Sequence, residues 1–197
     1  VTPGSLPDRP TPKSEWTIGS VALFRPRKGV EVLIQALSNL RQMGEVVRLR
    51  AVGPFETVEY EETIKEMAAR LGVADMIDWI GFAQNVNAEF AKMDVLVLPS
   101  LFGEGMPMVI LEAMAMGVPV VASDVEGIPE VLQHAHTGLV VPAGDAPQLA
   151  SALFDLINNK YNWAAMRADA YSLQVKSFSD HSMAAGVARV YNRILAR

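Results

Sequence analysis

Short runs of β-branched and apolar residues alternate with longer runs of helical periodicity along almost the whole chain. This alternation limits the fold more than any other feature. Strands are expected over 16–23, 46–52, 76–82, 95–98, 118–122 and 138–141. Helices are expected between them over 30–43, 59–71, 86–92, 108–116 and 128–132. Three more, over 146–158, 163–175 and 180–196, close the chain. The clearest helix places Val30, Leu33, Ile34, Leu37 and Leu40 on one face. Val95-Leu-Val-Leu98 is wholly apolar, as suits a strand covered on both sides. Six strands separated by helices require crossover connections, which build a doubly wound, parallel six-stranded α/β sheet. Ligands bind such sheets at the carboxyl ends of the strands, near the point where the strand order reverses. The informative loops are therefore 24–28, 53–55, 82–85, 99–107 and 123–129.

Composition narrows the function classes. The 197 residues are half hydrophobic and fit one domain with at most an added tail. A chain of this size buries roughly 70% of its unfolded surface, so its core needs no staple. Four of the twelve prolines fall within residues 3–12. Residues 1–15 are accordingly read as an extended arm or linker, and 16–197 as the domain. The chain starts on Val1 without an initiator Met and is expected to be cut from something longer. The start has neither the basic region nor the apolar core of a signal peptide. No apolar run approaches the roughly 18 residues of a membrane span. A net charge of −5 and a pI near 5.2 argue against a nucleic-acid surface. No cysteine occurs, so there is no thiolate nucleophile, zinc ribbon or disulfide, which is compatible with the cytoplasm. His134, His136 and His181 lack metal-ligand spacing, and no metal site is expected.

The richest loop runs Pro99-Ser-Leu-Phe-Gly-Glu-Gly-Met-Pro107 straight into a helix. Gly103 and Gly105 permit tight turns, and Pro107 suits the first helical turn. The helix then offers free N–H groups and the positive end of its dipole, an anion site. A plain strand-to-helix turn would look the same on glycine and proline alone. Glu112 adds to the case, because every neighbour within 108–116 is apolar. A buried carboxylate is costly unless hydrogen-bonded. Either it caps backbone or faces water, or it accepts hydrogen bonds from ligand hydroxyls, as carboxylates do from ribose diols. Glu104 sits eight residues earlier, on the loop itself. Two carboxylates flanking a helix start that could take a phosphate give a polyol–phosphate–polyol layout.

The second loop, Phe24-Arg-Pro-Arg-Lys-Gly29, puts Arg25, Arg27 and Lys28 at a helix start. Cations there oppose the dipole unless an anion is nearby. A solvated basic turn and a phosphate site remain open as readings. Gly53-Pro54 suits a simple turn, and Glu130, among the acids of 124–130, suits a helix cap. The methionines of 106–116 suit core packing. No dinucleotide glycine fingerprint, phosphate-binding Walker loop or hydrolase nucleophile elbow is present.

The segment from Glu104-Gly-Met-Pro through Glu112 to Pro-Val-Val-Ala-Ser123 resembles the E-x7-E region of retaining GT-B glycosyltransferases of the family 4 type. Lys28-Gly29 resembles the lysine-glycine after the first strand of that family's donor lobe. Gly127-Ile-Pro-Glu130 resembles the glycine-rich turn after its fifth strand, and Thr137-Gly-Leu-Val-Val-Pro142 the strand that follows. The resemblance runs from about Ile18 to Leu156, and Phe178 onward resembles the family's last helix.

The resemblance implies a Rossmann-like sheet that is one lobe of a GT-B fold, the half that holds a nucleotide-diphosphate sugar. The acceptor-binding amino-terminal lobe is absent from this chain. Glu104 would meet the donor sugar near its reacting carbon. Lys28 would pair with the diphosphate without a metal or other cofactor, with Arg25 or Arg27 assisting. Glu112 would accept the ribose hydroxyls, backbone around Gly105, Met106, Met108 and Val109 would take phosphate, and the base would sit against Gly53, Gly81 and Phe82. The nucleotide would be UDP or GDP, and the acceptor a polysaccharide or glycolipid. The implied partners are the nucleotide sugar and the missing lobe, through which any peripheral membrane contact would be made. Two positions depart from the pattern. Leu23 stands where the family has an arginine, and Glu126 where it has the first of two glycines. Alternatives are a non-catalytic nucleotide-sugar-binding or scaffold lobe, and a nucleotide-sugar epimerase of the same fold.

Overall fold

In the computed structural model the described residues are 5–9 and 15–196. The alternation expected from the sequence is realised element by element. Strands β1 (Trp16–Val21), β2 (Val47–Val52) and β3 (Ile77–Gly81) alternate with helices α1 (Val30–Gln42), α2 (Val58–Arg70) and α3 (Val86–Phe90). Next come β4 (Val95–Leu98), α4 (Met108–Ala115), β5 (Val120–Ser123), α5 (Ile128–Val131) and β6 (Leu139–Val141). Helices α6 (Ala146–Ile157), α7 (Trp163–Leu173) and α8 (Asp180–Leu195) complete the chain. All pairings are parallel and the order is β3-β2-β1-β4-β5-β6. The chain builds outward from β1 to β3, then returns to lay β4 on the other side of β1. The reversal point lies between β1 and β4, with Ile18 opposite Val95 and Gly19 opposite Leu96.

Side chains alternate along each strand and so feed two cores, one per sheet face. Ile18, Leu49, Val95 and Val97 pack with Leu33, Ile34 and Leu37 of α1 and Leu149, Leu153 and Leu156 of α6. Leu96, Leu98, Val120 and Ala122 face the other way, against Ile110 and Met114 of α4 and Phe90 of α3. This two-sided burial is why β4 and β5 carry no polar residue before Ser123.

Two short tight turns, Pro26–Lys28 and Ala74–Met76, were not distinguished by periodicity. The helix expected over 163–175 ends at Leu173 and passes into a single π turn, Gln174–Phe178. Ser179 then caps α8 by accepting from the Ser182 N–H. Much of the expected arm, 1–4 and 10–14, lies outside the described residues. Within 5–9, Arg9 donates to the carbonyls of Phe90 and Met93, at 2.6 and 2.5 Å.

Candidate active site

The reversal point brings the loops after β1 and β4 side by side. The first loop makes its tight turn at Pro26–Lys28 and leaves it through Gly29 at φ 64°. A Cβ on Gly29 would stand 2.1 Å from the Pro99 carbonyl oxygen, so only glycine lets the two loops come this close. The Leu101 N–H donates to the Arg27 carbonyl at 2.8 Å and joins them.

On this base Lys28 Nζ donates to Glu104 Oε1. Ser100 Oγ donates to the same oxygen at 2.6 Å, and Arg27 Nη1 stands 4.0 Å from it. The Glu104 side chain is only 7% exposed and that of Lys28 16%. A carboxylate this sheltered is tolerable because a cation and a hydroxyl meet it. Arg27 directs its guanidinium mainly at the Gly103 carbonyl, 2.7 Å away. Arg25 turns toward β2 instead and pairs with Glu56 at 3.2 Å. Leu23 is exposed and brings no charge.

Beyond Glu104 the loop rises to α4. Gly105 and Met106 are exposed, Pro107 enters the helix, and no side chain caps it. Proline carries no N–H, so the first free donors of α4 are those of Met108 and Val109, at the positive end of the dipole. Glu104 lies four residues before Met108, so the Lys28–Glu104 pair sits on the loop that leads directly to these donors.

Glu112 lies one turn further along α4. Its carboxylate caps nothing and makes no side-chain hydrogen bond or ion pair among the described residues, while its backbone carbonyl accepts from the Met116 N–H. It lines a hollow of about 200 Å³ with Asn87, Met108, Gln174, Phe178 and Asp180. Loss of water from part of its surroundings pushes its carboxyl above the ordinary range, although the residue keeps exposed surface. An acceptor-only group without a partner suits a ligand that brings hydroxyl donors.

Gly53 and Gly81 meet at the ends of β2 and β3, where the Gly53 N–H donates to the Gly81 carbonyl at 2.7 Å. With Pro54, Phe55 and Trp79 they line a second hollow, of about 370 Å³. Phe82 follows Gly81, is 79% exposed and does not line this hollow.

Three residues of the site carried no clear signal in the sequence. Ser100 follows β4 without any motif, and Asn87 lies within α3. Glu126 was visible only as an acid in an unusual place. Its carboxylate accepts from the N–H groups of Gly103 at 3.0 Å and Glu104 at 3.1 Å. These bonds and the Arg27 charge hold its carboxyl below the usual range. The cap suggested for Glu130 is absent: Gly127 precedes α5 (Ile128–Val131) and no side chain caps it among the described residues. Among the described residues no group of three or more histidines or carboxylates could hold a metal ion.

Residues 5–172 match the family model described as Glycosyl transferases group 1. The chain belongs to this family. It is 33% identical over 187 residues to the phosphatidyl-myo-inositol mannosyltransferase of Mycobacterium leprae, covering 90% of this chain and 47% of the relative. It is 30% identical over 184 residues to the lipopolysaccharide core biosynthesis mannosyltransferase LpsB of Rhizobium meliloti, covering 90% of this chain and 52% of that protein. Among solved structures, Anabaena Alr3699/HepE in complex with UDP-glucose superposes with a TM-score of 0.83 at 25% identity, over 91% of this chain and 49% of that one. This group 1 glycosyltransferase chain thus spans about half the length of these relatives. The glycosyltransferase fold and the Rossmann-like sheet expected from the E-x7-E segment are both present. No helix among the described residues is long and apolar enough to cross a membrane.

Proposed function

We propose that this chain is the donor-binding half of a retaining glycosyltransferase that uses a nucleotide-diphosphate sugar. The observation that carries the reading is the contact of Lys28 with Glu104 on the loop that leads into the uncapped start of α4. The pair offers a cation for phosphate and a carboxylate for sugar hydroxyls in one place. The diphosphate would lie across the N–H groups of Met108 and Val109, with Lys28 at its far end. When the bond from the anomeric carbon to the diphosphate oxygen breaks, negative charge grows on that oxygen. Lys28 and the helix dipole would face that oxygen, and fixed charges of this kind stabilise a leaving group without reorganisation. Glu104 would face the sugar as positive charge develops at its anomeric carbon. Glu112 would accept the ribose hydroxyls, and the hollow at Gly53 and Gly81 would receive the base. No step calls for a metal or another cofactor.

The acceptor and the second wall of the cleft would come from an amino-terminal lobe like that in the other half of the relatives. Helix α8 leaves Met183, Val187, Val190, Tyr191 and Ile194 more than half exposed, a face suited to such a lobe. The enzyme would work in the cytoplasm on a polysaccharide or glycolipid acceptor. Two relatives are named as mannosyltransferases and one solved neighbour holds UDP-glucose, so GDP and UDP donors are the first to test.

Calorimetry with UDP, GDP and ADP, with Glu112→Gln as control, tests the reading. Binding of one nucleotide that weakens in the variant supports it. Binding of none, or binding indifferent to the change, overturns it. The exposed, uncharged Leu23 favours a second reading, a lobe that binds nucleotide sugar without transfer. A full-length protein that binds donor yet transfers no sugar would establish that instead.

A further inference from the structure

The loop that carries Glu104 is held by the neighbouring loop after β5. Gly127 gives the close approach: a Cβ there would lie 1.7 Å from the Gly105 carbonyl oxygen. The Gly127 N–H donates to the Glu104 carbonyl at 3.0 Å. Glu126 completes the grip from the other side of the same residue. One carboxylate oxygen takes the Gly103 N–H and the other takes the Glu104 N–H, at 3.0 and 3.1 Å. Arg27 holds the Gly103 carbonyl at 2.7 Å. Both backbone polar groups of Glu104 are therefore fixed by 126–127, and those of Gly103 by Glu126 and Arg27.

This grip comes at a backbone cost. Glu126 sits at φ 30°, a region that disfavours any residue with a Cβ. Glycine would remove the strain, but it would also remove the carboxylate. Hydrogen bonds from N–H groups to a charged acceptor are among the stronger ones, which offsets the strain. The acid is exposed, and its hydrogen bonds go to the backbone of Gly103 and Glu104, not to Lys28 or α4.

We infer that Glu126 is a positioning residue for the donor sugar: by clamping the Gly103 and Glu104 N–H groups it fixes where the Glu104 carboxylate meets the transferred sugar. The inference rests on the donor-site reading above and deepens it. It separates two parts of the site. The nucleotide diphosphate is held by Lys28 and the α4 N–H groups, which Glu126 does not touch. The sugar is met by Glu104, which Glu126 holds through the backbone.

The test compares Glu126→Ala with the unaltered 197-residue chain by calorimetry, using UDP against UDP-glucose and GDP against GDP-mannose. For the nucleotide that binds, the variant is expected to hold the bare diphosphate within about twofold while losing about tenfold for the sugar-bearing form, the order of affinity that one hydrogen bond to a charged group carries. Glu126→Gln keeps one oxygen acceptor and turns an amide NH2 toward the other donor, so it is expected to fall between. A thermal melt of each variant separates this from general loosening, which would weaken both ligands together. Equal loss for both ligands, or full retention of the sugar-bearing one, would overturn the inference. Failure of the unaltered chain to bind any of the four would instead overturn the donor-site reading on which it stands.

Discussion

Removing Lys28 gives a prediction that the geometry makes quantitative. Glu104 is 7% exposed at its side chain, and Lys28, at 16%, supplies its direct ion-pair partner. In Lys28→Ala the carboxylate keeps the Ser100 hydroxyl at 2.6 Å and Arg27 at 4.0 Å. Stripping the partner from a fully buried pair costs about 3–5 kcal/mol because a charge is left without compensation. The remaining hydroxyl, the distant guanidinium and water entering through the space left by the lysine recover part of this, so about 2 kcal/mol is expected. For a chain of this length that lowers the melting temperature by about 4–8 °C. Thermal and urea unfolding of Lys28→Ala, Glu104→Ala and the double variant would measure it. The double variant should regain much of the loss, because it removes the orphaned carboxylate. In Lys28→Ala a nucleoside diphosphate should lose more affinity than the nucleoside. Unchanged stability in Lys28→Ala, or a double variant as unstable as the sum of the singles, would refute the idea that the two groups shelter each other.

Two further outcomes follow from the site. Glu112 has its carboxyl raised by loss of water, so the folded chain binds that proton more tightly than the unfolded chain. Its ionisation therefore costs stability as pH rises from the ordinary carboxylate value through the raised one. Glu112→Gln should be more stable than the parent at pH 7 while binding nucleotide less well, and melting curves should converge below about pH 4. Gly29→Ala should lose about 1–3 kcal/mol from its left-handed backbone alone, and more from its approach to the Pro99 carbonyl, read as a lowered urea midpoint with Lys28 displaced from Glu104.

Much of this was legible in the sequence because the two kinds of period write it directly. Two-residue alternation of apolar side chains along β1 and β2, and the wholly apolar β4, marked the strand positions closely. The meeting of Lys28 with Glu104 was also within reach, since a doubly wound order must bring β4 back beside β1. What stayed hidden depends on directions that letters do not carry. Arg25 and Arg27 flank one proline, yet an extended backbone at Arg25 sends the first to Glu56 and the tight turn sends the second to Gly103. Glu126 and Gly103 are 23 residues apart, and their bond exists only because the loops after β4 and β5 emerge together. The π turn at Gln174–Phe178 has no compositional mark, so the end of α7 could not be placed from periodicity.

The central claim is that a nucleotide diphosphate lies across the start of α4, against Lys28. Amide chemical shifts recorded by NMR while GDP or UDP is titrated into the chain test it most directly. The largest shifts are expected on the N–H groups of Met108 and Val109, with Lys28 and Glu104 next, and a weaker response in Lys28→Ala. Shifts confined to other loops, with Met108 and Val109 unmoved, would contradict it.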